Sequence, residues 1–146
     1  MDGISIKEII IRKFNKTGGT GIIPLMKSNR TFTATYNKEG VKVSNLGSQG
    51  LLSWEVFYET IEILNKNGGK ASKGDAMKGK LGDIKLPLDS VEGYIAYKVY
   101  GKALGKTVFR RISPISGILK WAEICLNERG ILRLKNVPSE SDKYRH

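Results

Sequence analysis

The sequence predicts an α+β domain made of two β-hairpin-plus-helix units, ββα-ββα, closed by a short C-terminal strand. Three observations carry this. Residues 31–46 and 93–112 are β-rich stretches with internal turn signals, and each precedes a serine placed to cap an apolar helix. Both units then reach the same pattern, Leu64-Asn65-Lys66-Asn67-Gly68 and Leu126-Asn127-Glu128-Arg129-Gly130. Finally, 146 residues of which 40% are hydrophobic suffice for one buried core. The alternative is a winged-helix-like layout. It would use a short helix at 72–80, the helix at 114–127 and the strand after it, and it requires residues 90–100 to be helical.

The elements follow in chain order. In residues 4–14, Ser5 and Glu8 fit a capping box, and Ile6, Ile9, Ile10 and Phe14 share a helical face. The β-branched isoleucines favour a strand, so both readings stay open. Thr17-Gly18-Gly19-Thr20-Gly21 ends the element. Thr31–Tyr36 and Val41–Ser44 flank the turn Asn37-Lys38-Glu39-Gly40. Ser53 then caps a helix in which Trp54, Phe57, Ile61 and Leu64 recur at helical spacing, ended by Asn67-Gly68-Gly69. Residues 65–82 read as a mobile basic loop with five lysines and five glycines. In the second hairpin Tyr94, Lys98 and Tyr100 lie on one face, and Gly101-Lys102-Ala103-Leu104-Gly105 is the turn. A helix capped by Asp89, with Glu92 at its third position, competes with that hairpin. Ser113-Pro114 opens the last helix. Its stripe is Ile115, Ile118, Leu119, Ala122, Cys125 and Leu126, and Gly130 ends it. Ile131–Leu134 is a strand. The domain therefore spans 1–137, and 138–146 is a polar tail.

Function classes are narrowed mainly by what is scarce. The one histidine, His146, stands at the end of the chain, which weighs against histidine-based nucleophilic or general-base chemistry. The one cysteine, Cys125, allows no internal disulfide and no Cys-x-x-Cys zinc site. Gly101-Lys102-Ala103-Leu104-Gly105-Lys106-Thr107 resembles a phosphate-binding loop, but position 100 is tyrosine where that motif needs glycine, and Val108–Arg111 reads as a strand rather than a helix start. Asp83-Ile84-Lys85, with Asp75 nearby, is the minimal signature of a metal-dependent nuclease, and such triplets are common by chance. No cofactor is expected. The start Met1-Asp2-Gly3 does not resemble a signal peptide and no apolar run could span a membrane, so the expected compartment is the cytoplasm.

Charge is what remains. There are 25 lysines and arginines against 14 acids, a formal +11. Residues 66–135 hold 15 basic and 6 acidic residues, and 66–111 hold 11 and 4, so the excess is concentrated in one stretch. Such a field attracts phosphate backbones. The candidate contacts are Lys70, Lys73, Lys78, Lys80, Lys98, Tyr100, Lys102, Lys106, Arg110 and Arg111, with lysine and arginine on phosphates and tyrosine stacking or positioning. The function expected is non-catalytic nucleic-acid binding, DNA first and RNA second. The alternatives are a small regulator or inhibitor with an acidic protein partner, and a metal-dependent nuclease.

Overall fold

A computed structural model describes residues 3–135. The side chains of 3–5 are not described, so Ser5 and its expected capping box lie outside the described residues, as do the tail at 138–146 and His146. Over residues 4–14 helix prevails. Helix α1 spans Gly3–Lys16, and Ile6, Ile10 and Phe14, four residues apart, are all buried on one side. Burial of that stripe outweighs the intrinsic β preference of the isoleucines.

A four-stranded antiparallel sheet follows: β1 Thr20–Pro24, β2 Thr31–Asn37, β3 Gly40–Val43 and β4 Leu51–Ser53, in that spatial order. The expected hairpin is β2–β3. Phe32, Ala34, Val41 and Val43 point into the core, and the Asn37 side chain accepts the N–H groups of Glu39 and Gly40 in the turn. Helix α2, Trp54–Lys66, buries Trp54, Phe57, Ile61 and Leu64 as the spacing predicts. Ser53 occupies its N-cap position, although its hydroxyl makes no capping bond.

From α2 onward the elements are β5 Lys70–Ser72, α3 Val91–Lys98, α4 Ile112–Trp121, β6 Cys125–Glu128 and β7 Ile131–Leu134. The second sheet has the order β5-β7-β6. Helix, strand, helix, helix and a final hairpin whose last strand pairs with the first is the winged-helix connectivity. The mixed α+β class therefore holds, and the second ββα unit does not. Residues 93–112 contain no hairpin. Ser90 caps α3, its Oγ accepting the Gly93 N–H at 3.1 Å, and a Cβ at Gly93 would sit 2.1 Å from the Pro87 carbonyl oxygen. Tyr94 and Lys98 thus belong to a helix, while Tyr100 lies just beyond it.

Two further expectations are corrected. The last helix stops at Trp121, because Glu123 takes a left-handed backbone (φ 62) and the chain turns into β6. Ala122 and Cys125 are buried, but not on a helix. Gly130 (φ 75) is the turn of the β6–β7 hairpin rather than a helix end, so the two Leu-Asn-x-x-Gly segments are not structural equivalents. Residues 65–82 also contain β5. Beyond it the backbone is tied by Asp75 N–H to Lys85 C=O, Leu81 N–H to Lys106 C=O and Gly82 N–H to Leu86 C=O.

One apolar core joins α1, both sheets, α2 and α4. Helix α4 is pressed onto the first sheet at close range: a Cβ on Gly117 would lie 3.1 Å from the Phe32 ring, and one on Gly21 would lie 2.9 Å from Trp121. A second, small cluster of Leu81, Leu86, Ala96 and Val108 holds the irregular segments 73–90 and 99–111 against α3. Among the described residues no helix is long and apolar enough to cross a membrane.

Candidate functional site

Helix α4 occupies the place in the connectivity where helix-turn-helix proteins carry their reading helix. Here Ile112 and Pro114 through Leu119 are all buried, and Lys120 is its exposed residue. The helix is core. The exposed chemistry lies in the irregular segments on either side of α3.

Three of the four acids in residues 66–111 are turned to backbone amides. Asp75 Oδ1 accepts the Met77 N–H at 3.1 Å, and Asp83 Oδ2 accepts the Lys80 N–H at 2.8 Å. Glu92, buried on α3, accepts the Arg111 N–H at 2.5 Å where α4 begins. Its Oε2 has no partner among the described residues, and burial raises its carboxyl to about 7 against the opposing pull of the Arg111 N–H and of the Arg111 and Arg110 charges. The two ion pairs among the described residues are Arg133–Glu128 and Lys135–Glu123, both outside this stretch. Among the described residues the cations of 66–111 therefore have no carboxylate at ion-pair distance. Here the acids are bonded to backbone amides rather than paired directly with the cations.

The candidate residues fall into different settings. Lys70 is exposed on β5 and lines a shallow depression of about 290 Å³ with Asn67, Ser72, Asp89 and Ile131. Lys78 and Lys80 are exposed in the segment after β5. Lys98 ends α3, and Lys102 and Lys106 are exposed on the loop beyond it. Arg111 differs from these. It is buried, with its guanidinium carbon 3.6 Å from the Tyr100 ring centroid and 4.8 Å from that of Phe109. Tyr100, Phe109 and Arg111 thus meet through a cation held over two rings, and not on a sheet face. Arg111 anchors the start of α4 and is not an open phosphate contact.

The charge of Arg110 reaches Lys73, and two residues outside the predicted set, Lys27 and Asn127, also act on it. The Lys73 ammonium hydrogen-bonds to Asn127 Oδ1 on β6 and stands 3.4 Å from Met26 Sδ in the β1–β2 turn. Arg110 Nη1 lies 3.3 Å from Met77 Sδ. Burial, followed by the charges of Lys27 and Arg110, lowers the Lys73 ammonium to about 8, while Glu128 acts in the opposite direction. Lys27 and Asn127 carry no local motif. Lys27 also lies in the half of the chain with little net charge, so segment counts pass over it.

Beside these cations the surface exposes large apolar side chains: Ile84 (96%), Met77 (75%), Leu104 (60%), Tyr97 (53%) and Phe109 (40%). Among the described residues no three histidine, cysteine, aspartate or glutamate side chains gather as metal ligands would. The site is a cationic surface with exposed rings and thioethers, built on the segments that flank α3. No protein-family model, curated protein or solved structure matches the chain.

Proposed function

We propose that this chain binds nucleic acid, DNA before RNA, through the cationic surface of residues 70–111, without catalysis and without inserting α4 into a groove. The observation that carries the reading is that, among the described residues, the cations of 66–111 have no carboxylate partner, while Asp75, Asp83 and Glu92 accept backbone amides. Cations left open in this way release counterions when a phosphate backbone replaces their ionic atmosphere. The burial of α4, which leaves Lys120 as its exposed residue, supports a mode other than the usual duplex readout. Lys70, Lys73, Lys78, Lys80, Lys98, Lys102, Lys106 and Arg110 supply phosphate contacts, and the Tyr100–Arg111–Phe109 stack positions the irregular segment that carries Arg110. Exposed Tyr97 and Phe109 offer ring surface to unpaired bases.

Fluorescence anisotropy with duplex DNA, single-stranded DNA and RNA across a salt series tests this. Binding should weaken linearly in log–log form as salt rises. Affinity indifferent to salt, or no binding to any of the three at about 50 mM salt, overturns the reading. A second reading is a regulator that docks an acidic protein, and the exposed Met77, Ile84 and Leu104 favour it, since such side chains suit an interface core. A stoichiometric acidic protein that co-purifies and is released by Ile84→Ser would decide for it.

A further inference from the structure

We infer that Lys73, with Lys27 and Arg110 beside it, forms a discrete subsite for one phosphate group. The inference deepens the nucleic-acid reading and rests on it for the identity of the natural ligand.

The position of Lys73 is built from several elements. Its backbone N–H donates to Gly130 C=O in the β6–β7 turn at 2.8 Å, and its own carbonyl accepts the Glu92 N–H of α3 at 3.0 Å. The residue is thereby fixed where the hairpin and α3 meet. Its ammonium is steered by Asn127 on β6 and lies against Met26 in the β1–β2 turn, the turn that carries Lys27. Four chain segments thus converge on one half-buried cation. An amide oxygen and a thioether orient an ammonium but do not neutralise it. Two further cations, Lys27 and Arg110, act on it through their charge. The acid on this side, Glu128, is held by Arg133 at 3.1 Å.

Placing two further cations near a half-buried ammonium costs stability unless an anion joins them. A tetrahedral phosphate suits the set: it presents several acceptor oxygens, lysine supplies rotatable point-charge donors, and arginine supplies a fork. The same crowding predicts a pH signature. Lys73 is charged below about 8 and loses its proton above it, so phosphate affinity falls as pH rises through that value. Lys27 from the β1–β2 turn, Arg110 from the segment before α4 and Glu128 from β6 are the charged groups that face it.

The test uses protein with ¹³C-labelled lysine, the Lys73 signal being assigned by its loss in Lys73→Gln. Its titration is followed alone, with inorganic phosphate and with the oligonucleotide that binds best. Both ligands should raise the pKa of Lys73. Lys73→Gln should weaken oligonucleotide binding roughly fivefold and make the log–log salt slope shallower by about 1, the effect of one lost contact. Lys73→Arg should restore both and remove the pH dependence near 8. The exposed variants Lys27→Gln and Arg110→Gln repeat the slope change without touching the buried stem. If no nucleic acid binds but inorganic phosphate still shifts Lys73, the subsite stands and its ligand is a free phosphate or phosphorylated small molecule. If nucleic acid binds and Lys73→Gln leaves affinity and slope unchanged, the subsite is overturned while the wider reading survives.

Discussion

Helix α4 and the segment 73–111 adjoin in sequence and are opposite in exposure. The helix occupies the reading position of its connectivity and is packed on the first sheet through Gly117 and Trp121. The segment before it has irregular backbone, a small core of four buried residues, and nearly all of its cations exposed. Connectivity therefore does not identify the working surface here. What supports the proposed surface is the fate of the acids: Asp75, Asp83 and Glu92 are directed to amides, and most lysines and arginines around them are exposed.

The comparison breaks most directly at α4. Ile118 is fully buried in the main core. Ile118→Ala should lower unfolding free energy by about 2–5 kcal/mol, read from urea denaturation. An α4 exposed in solution as a reading helix would tolerate the change within about 0.5 kcal/mol. That result would restore the reading position as the candidate contact.

Glu92, which links the two regions, gives the next effect. Its carboxyl is raised from 4.5 to about 7 in the fold, so the folded state binds the proton more tightly than the unfolded chain does. Stability from this group is present below about 4.5 and is lost as pH climbs towards 7, by roughly 3 kcal/mol for a shift of this size. Glu92→Gln should flatten that slope in denaturation midpoints between pH 4.5 and 7. A variant that keeps the wild-type slope would place the titration on another group.

Much of the scaffold was legible, and the misreadings have physical causes. The β2–β3 hairpin and α2 showed because one face of each is buried and the other wet, so their periods appear in the sequence. Helix α3 concealed its period because it is short and buries Val91, Glu92, Gly93, Ile95 and Ala96 on several sides, including an acid that any pattern reads as exposed. The end of α4 was hidden because β6 continues the apolar spacing and the stop is a glutamate in left-handed conformation, with neither glycine nor proline to mark it. At the site, the concentration of charge was legible. The partnership of Lys73 with Lys27 and Asn127 was not, since tertiary structure alone brings those three segments together.

The smallest effect on stability should accompany a clear effect on binding, and that pairing sharpens the comparison. Lys102 and Lys106 are exposed, and neither makes an ion pair among the described residues. Lys102→Gln with Lys106→Gln should leave unfolding free energy within about 0.5 kcal/mol of the parent. The same double variant should make the log–log salt dependence of nucleic-acid binding shallower by about 2, one for each lost phosphate contact. A slope that does not change would remove this loop from the interface and confine the contacts to the surface around Lys73 and Arg110. A change of about 2 would extend the phosphate path from that subsite out to the loop beyond α3, and would show that charge on irregular backbone does here what a recognition helix does in the usual arrangement.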